Sequence, residues 1–113
     1  MAGERMRRVD EAVREVLSQR LTAGLKDPRI GFVTVTSVET APDLRNARVY
    51  VSVLGSEEER RDTLEGLQSS SGFLQAALGR ELRMKRTPTL EFVHDDSVDR
   101  GFRIGEIIEE HDR

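Results

Sequence analysis

Arg80, Arg83, Lys85 and Arg86 fall within one seven-residue stretch in which Glu81 is the one acid. The chemistry open to such a set is electrostatic: guanidinium forks grip phosphate in bidentate fashion and stack on bases, and an ammonium acts as a point charge. A solvated helix face ordinarily carries acids one turn from its cations, and only Glu81 serves here. Just upstream, Ser69-Ser70-Ser71-Gly72 interrupts an apolar spacing that runs through Leu64 and Leu67 and resumes at Phe73, Leu74, Ala77, Leu78 and Leu82. Serine hydroxyls compete for backbone hydrogen bonds and glycine is conformationally loose, so Ser70, Ser71 and Gly72 predict a helix kink. An elbow of small residues would let a nucleic-acid backbone approach closely. Arg7, Arg8 and Arg45 are secondary candidates for phosphate contact.

Other chemistry is poorly provided for. A serine nucleophile needs a base, and the two histidines are His94 and His111. Nothing around the serines has the strand–turn–helix context of an activated nucleophile. His94-Asp95-Asp96 has metal-ligand residue types, but neighbours at a strand end point apart and no second cluster completes a site. Neither G-x-x-x-x-G-K nor G-x-G-x-x-G occurs. The expectation is a protein that is not an enzyme and uses no metal or cofactor.

The 113 residues suffice for one domain with one modest core. Without cysteine there is neither a disulfide framework nor a thiolate metal site. No apolar run approaches a membrane span, and Met1 to Arg8 has arginines without the apolar stretch of a secretory signal. A cytoplasmic protein with no membrane partner is expected. The net charge of −3 argues at first against nucleic acid, but it is unevenly spread. Residues 94–113 hold three arginines against seven acids, leaving the first 93 residues at +1. The reading is a domain over 1–96 and an acidic tail over 97–113, partly ordered or disordered.

The elements that must position these residues follow from periodicity. Met6, Val9, Val13, Val16, Leu17 and Leu21 make one helical stripe, predicting a helix from Arg5 to Leu25. Ile30 to Glu39 is β-branched, and Asn46 to Leu54 alternates with Ala47, Val49, Val51 and Val53 on one side. Ala41-Pro42-Asp43-Leu44 supplies a turn between these strands, which form a hairpin. Ser56 before Glu57, Glu58 and Glu59 is an N-cap with acids opposing the helix dipole. That helix runs to about Gln68, a second from Phe73 to Lys85 stops at Thr87-Pro88, and Leu90 to His94 is a third strand. The order α-β-β-α-(kink)-α-β predicts an α+β fold, helices on one face of a three-stranded sheet.

This order, with a short element between the last two helices, is that of a KH-like module in its type II topology. KH modules clamp single-stranded nucleotides with a G-x-x-G loop, and no G-x-x-G occurs here. Four stretches, residues 5–21, 27–55, 69–92 and 95–108, resemble the ribosome-binding factor A family of bacterial small-subunit assembly factors. The Asp27-Pro28-Arg29 turn before a valine-rich hairpin, the broken helix and the Arg86-Thr87-Pro88 strand entry stand in the family's order. The family replaces the G-x-x-G loop with an Ala-x-Gly kink, matched here by Ser70-Ser71-Gly72 with serine for alanine.

The resemblance implies a monomeric, non-enzymatic factor that binds the immature 30S subunit at its 16S rRNA, rather than the 70S ribosome. It further implies support of late maturation, including 16S 5′-end processing, notably in the cold, with assembly GTPases as candidate partners. The rivals are a KH-like protein-interaction module, which the net acidity favours, and a general single-stranded RNA-binding protein not dedicated to the ribosome. A hydrolase using Ser71 and His94 ranks last.

Overall fold

The computed structural model describes residues 2–97; the tail expected over 97–113 lies, after Ser97, outside the described residues. Helix α1 spans Ala2–Ala23 and buries Val13, Val16 and Leu17, with Val9 and Leu21 at the margin of the core. It ends two residues earlier than the apolar spacing predicted, because Gly24 takes φ +94° and its N–H turns back to Leu21 O.

Strands β1 (Val33–Thr40) and β2 (Asn46–Val53) form the expected antiparallel hairpin. A bulge falls at Thr36, between the pairs Val35–Val51 and Ser37–Tyr50. Val35 and Val38, three residues apart, would lie on opposite faces of a regular strand; the extra residue puts both in the core. The strand predicted from Ile30 starts only at Val33, because α2 (Glu57–Ser69) holds residues 27–31 as a docked loop. The buried Thr63 hydroxyl of α2 donates to Arg29 O (3.3 Å) and accepts from Gly31 N (3.2 Å). Gly66 lets this loop sit down: a Cβ there would lie 2.7 Å from Ile30 Cγ1.

The N-cap predicted at Ser56 is present and is closed as a capping box, with Ser56 Oγ accepting from Glu59 N and Glu59 Oε1 accepting from Ser56 N, both at 3.1 Å. Helix α3 (Ser71–Leu82) follows α2 after the single residue Ser70. Strand β3 (Thr89–His94) then pairs parallel with β2, from Asn46–Thr89 to Val51–His94. A parallel pair needs a long crossover, and α2 and α3 provide it.

The sheet order is β1-β2-β3, with the three helices over one face. Leu17, Leu67, Leu74, Leu78, Leu90, Val49 and Val51 are its fully buried centre. The outer edge of β3 is closed by side chains: Gln75 Nε2 donates to Pro88 O (2.8 Å), Gln68 Nε2 to Leu90 O (2.9 Å), and Phe92 N to Gln68 Oε1 (3.3 Å). Two carboxamides thus stand in for a missing fourth strand.

Candidate nucleic-acid interface

The strands set up two opposite ends. At one lie the start of β2, the start of β3 and the end of β1, joined by Thr89 N to Arg45 O (2.8 Å) and the Thr40–Ala47 pair. The first half of α1 reaches the same end, where Asp10 Oδ1 accepts from Thr40 N at 2.9 Å. So does the end of α3: Leu82 and Met84 form a shallow groove of about 270 Å3 with Arg8, Val9 and Ala12. Arg7, Arg8, Arg45, Arg80, Arg83, Lys85 and Arg86, scattered over eighty residues of sequence, are therefore exposed around one end of the domain.

Two of these cations, Arg83 and Lys85, are not on the helix predicted for them. Arg83 adopts the left-handed conformation (φ 52°, ψ 42°) and Met84 N closes onto Gly79 O at 3.2 Å, which ends α3 at Leu82. The helix predicted to Lys85 is thus three residues shorter, and Lys85 and Arg86 lie in the loop to β3. A left-handed C-terminal residue is normally glycine, since Cβ crowds the following carbonyl. An arginine stands there in spite of that cost.

Several acids near this end have partners of their own. Glu81 accepts from Arg20 at 2.6 Å, Glu11 pairs with Arg14, and Asp10 holds Thr40 N. Asp43 takes Arg45 N at 3.0 Å and lies 4.0 Å from its guanidinium. None of the ion pairs among the described residues involves Arg7, Arg8, Arg80, Arg83, Lys85 or Arg86. What remains at the surface is a set of six cations outside those ion pairs, suited to a polyphosphate backbone.

The elbow lies at the other end of α3, roughly 18 Å away at 1.5 Å per residue. The four-residue break predicted at 69–72 is one residue wide: Ser70 takes φ −90°, ψ 1°, its N–H is shared between Gly66 O and Leu67 O, and its hydroxyl donates to Gly66 O (2.9 Å). Ser71 and Gly72 are the first turn of α3. Gly72 has open space where a Cβ would stand. The glycine that close approach demands is Gly66, whose sequence signal was an isolated glycine inside a helical pattern. The Ser70–Phe73 end of α3 lines a separate groove with Gly24 to Asp27.

Asp95 is an ionisable group whose importance no sequence pattern announces. It accepts from the Thr36 hydroxyl at 2.6 Å and from Ser97 N at 2.9 Å, and the Thr36 bond, followed by that of Ser97, holds its pKa down to about 2. A carboxylate with the residue type of a metal ligand is thus tied to the sheet. No group of three or more metal-ligating side chains occurs among the described residues, and no helix among them is long and apolar enough to cross a membrane.

The fold and its charged end define a small α+β protein of KH-like type II topology, with the phosphate-clamping loop replaced by a one-residue helix junction. The model for ribosome-binding factor A matches residues 5–108. The chain belongs to the ribosome-binding factor A family. It is 54% identical over 104 residues to the ribosome-binding factor A of Anaeromyxobacter dehalogenans strain 2CP-C, covering 91% of this chain and 75% of that one. The Geobacter metallireducens protein is 45% identical over 107 residues, covering 95% and 91%. The crystal structure of ribosome-binding factor A from Thermus thermophilus superposes with a TM-score of 0.69 at 31% identity, covering 79% of this chain and 94% of that one. A Thermus thermophilus ribosome-binding factor A model, fitted into a cryo-EM map of a 30S complex, gives 0.62 at 34% identity, covering 75% and 89%.

Proposed function

We propose that this protein is a non-enzymatic assembly factor that binds the immature small ribosomal subunit through 16S rRNA, using Arg80, Arg83, Lys85 and Arg86 with Arg7, Arg8 and Arg45 around them. The observation that carries the reading is Arg83: its backbone conformation favours glycine, yet an exposed arginine stands there among the cations at the end of α3. The 30S complex of the Thermus relative supports the choice of target. Contacts of this kind position a backbone rather than read bases. The elbow, at the far end of α3, orients the helix and is not the main grip.

On this reading the protein acts in the cytoplasm as a monomer on free 30S particles rather than on 70S ribosomes. It supports late maturation, including 16S 5′-end processing, chiefly in the cold, and then leaves, with assembly GTPases as candidate partners. The test is sedimentation with immature small subunits of the protein carrying Arg80→Glu, Arg83→Glu and Arg86→Glu together. Association should be lost, and each single change should flatten the salt dependence of binding by about one log unit per log unit of salt. Unchanged association would remove these residues from the interface. Ribonuclease treatment that left co-sedimentation intact would favour a protein-binding module instead.

A further inference from the structure

The sheet face turned away from the helices has a chemistry opposite to that of the cationic end. Strand alternation places Glu39, Arg48, Tyr50, Glu91 and Val93 on it, in rows set by the pairs Glu39–Arg48, Arg48–Glu91 and Tyr50–Val93. Arg48 is the one cation of this face among the described residues. Its charge is offset, with Glu91 Oε2 at 4.0 Å on one side and Glu39, which accepts from Tyr50 OH at 3.1 Å, on the other.

At one end of the face, Asp10, Glu39 and Glu91 converge on a shallow groove of about 420 Å3 with Arg48 and Asn46. Thr40 lines the same groove; it is 9% exposed, and its hydroxyl oxygen is buried without a hydrogen-bond partner. A buried hydroxyl without a partner is a local cost in free energy. At the other end of β2, Leu54 N donates to Phe32 O at 3.1 Å, and the two side chains are 77% and 83% exposed. This apolar pair is presented rigidly, because Gly31 is held by Thr63. From Arg48 to Leu54 is roughly 20 Å along an extended strand.

We infer that this open face is a docking surface for an extended, Lys/Arg-containing protein segment, with a cation in the Asp10–Glu39–Glu91 groove and an apolar side chain over Phe32 and Leu54. Two excess carboxylates repel a phosphate backbone and attract a basic chain. The apolar pair supplies the desolvated anchor that charge alone lacks. The groove adjoins the cationic end on the side of the open face, and the Phe32–Leu54 anchor, at the other end of β2, lies away from the proposed RNA contacts.

A benzoylphenylalanine placed at Leu54 of the full chain, and in a second protein at Lys85, tests this on purified immature small subunits. The Lys85 probe should crosslink to rRNA, and the Leu54 probe to a Lys/Arg-rich protein segment identified by mass spectrometry. Glu39→Gln with Glu91→Gln, which removes the carboxylates without adding cations, should cut the protein crosslink about fivefold while the Lys85 crosslink to rRNA persists. Crosslinking from Leu54 to rRNA, to a second copy of this chain, or to nothing while Lys85 still reaches RNA overturns the inference alone. Failure at both positions overturns the proposed function with it. Thermal melts of the double variant establish that it folds.

Discussion

The Thr36 hydroxyl donates to Asp95 Oδ2 at 2.6 Å, joining the bulge of β1 to the residue after β3 across the central strand. Asp95 N adds a bond to Val51 O at 2.7 Å. A hydroxyl has one proton, so the carboxylate takes it in preference to Tyr50 O at 3.2 Å. The bulge therefore does two things: it brings Val35 and Val38 to one face, and it aims Thr36 at Asp95.

This bond gives acid sensitivity a location. Asp95 has a folded pKa of about 2 against an ordinary value of 3.8. A depressed carboxylate stabilises the fold above its unfolded pKa, and that contribution is lost as pH falls from about 4 through 2. Thr36→Val should raise the Asp95 pKa, read by NMR titration. It should lower the urea midpoint at pH 7 and leave less difference from the parent at pH 2. An unchanged titration would show that the bond is absent in solution.

Gly66 and Gly72 should respond oppositely to alanine. Gly66→Ala puts a methyl 2.7 Å from Ile30 Cγ1 and should destabilise by about 1–3 kcal/mol. Gly72→Ala meets nothing and should stabilise by up to about 1 kcal/mol through helix propensity. Chemical denaturation of the pair decides the matter; equal effects would contradict the docked loop.

Arg83→Gly separates folding from binding. Glycine accepts φ 52° freely, so stability should rise by about 1 kcal/mol while affinity for immature subunits falls. Thermal melting and sedimentation on the same preparation read both. A stabilised variant with undiminished association would take Arg83 out of the interface.

Gln68→Ala should cost about 1 kcal/mol and speed hydrogen exchange at the Phe92 amide, because the outer edge of β3 loses its closure. Exchange at Val49, in the central strand, serves as the internal control. Unchanged exchange at Phe92 would mean that the carboxamide does not seal the edge.

Much of the fold is legible in local chemistry. The stripe from Val9 to Leu21, the alternation from Ala47 to Val53 and the Ser56–Glu59 capping box are each dictated within a few residues, so periodicity and side-chain type suffice. Boundaries failed where a distant partner intervened. Ile30 reads as strand until Thr63 and Gly66 of α2 take up its neighbours' backbone. Arg83 reads as helix until its backbone turns left-handed.

The candidate site divides in the same way. Sequence by itself determined which cations exist, the scarcity of acids around Arg83, Lys85 and Arg86, the element order and the family resemblance, all properties of residue type and spacing. Only the tertiary structure decided that Arg7, Arg8, Arg45 and Arg83 share one end and that the Ser70 junction lies at the other. Antiparallel packing of α1 and α3 and parallel pairing of β2 with β3 bring residues eighty positions apart together, and no local pattern along the chain encodes that meeting.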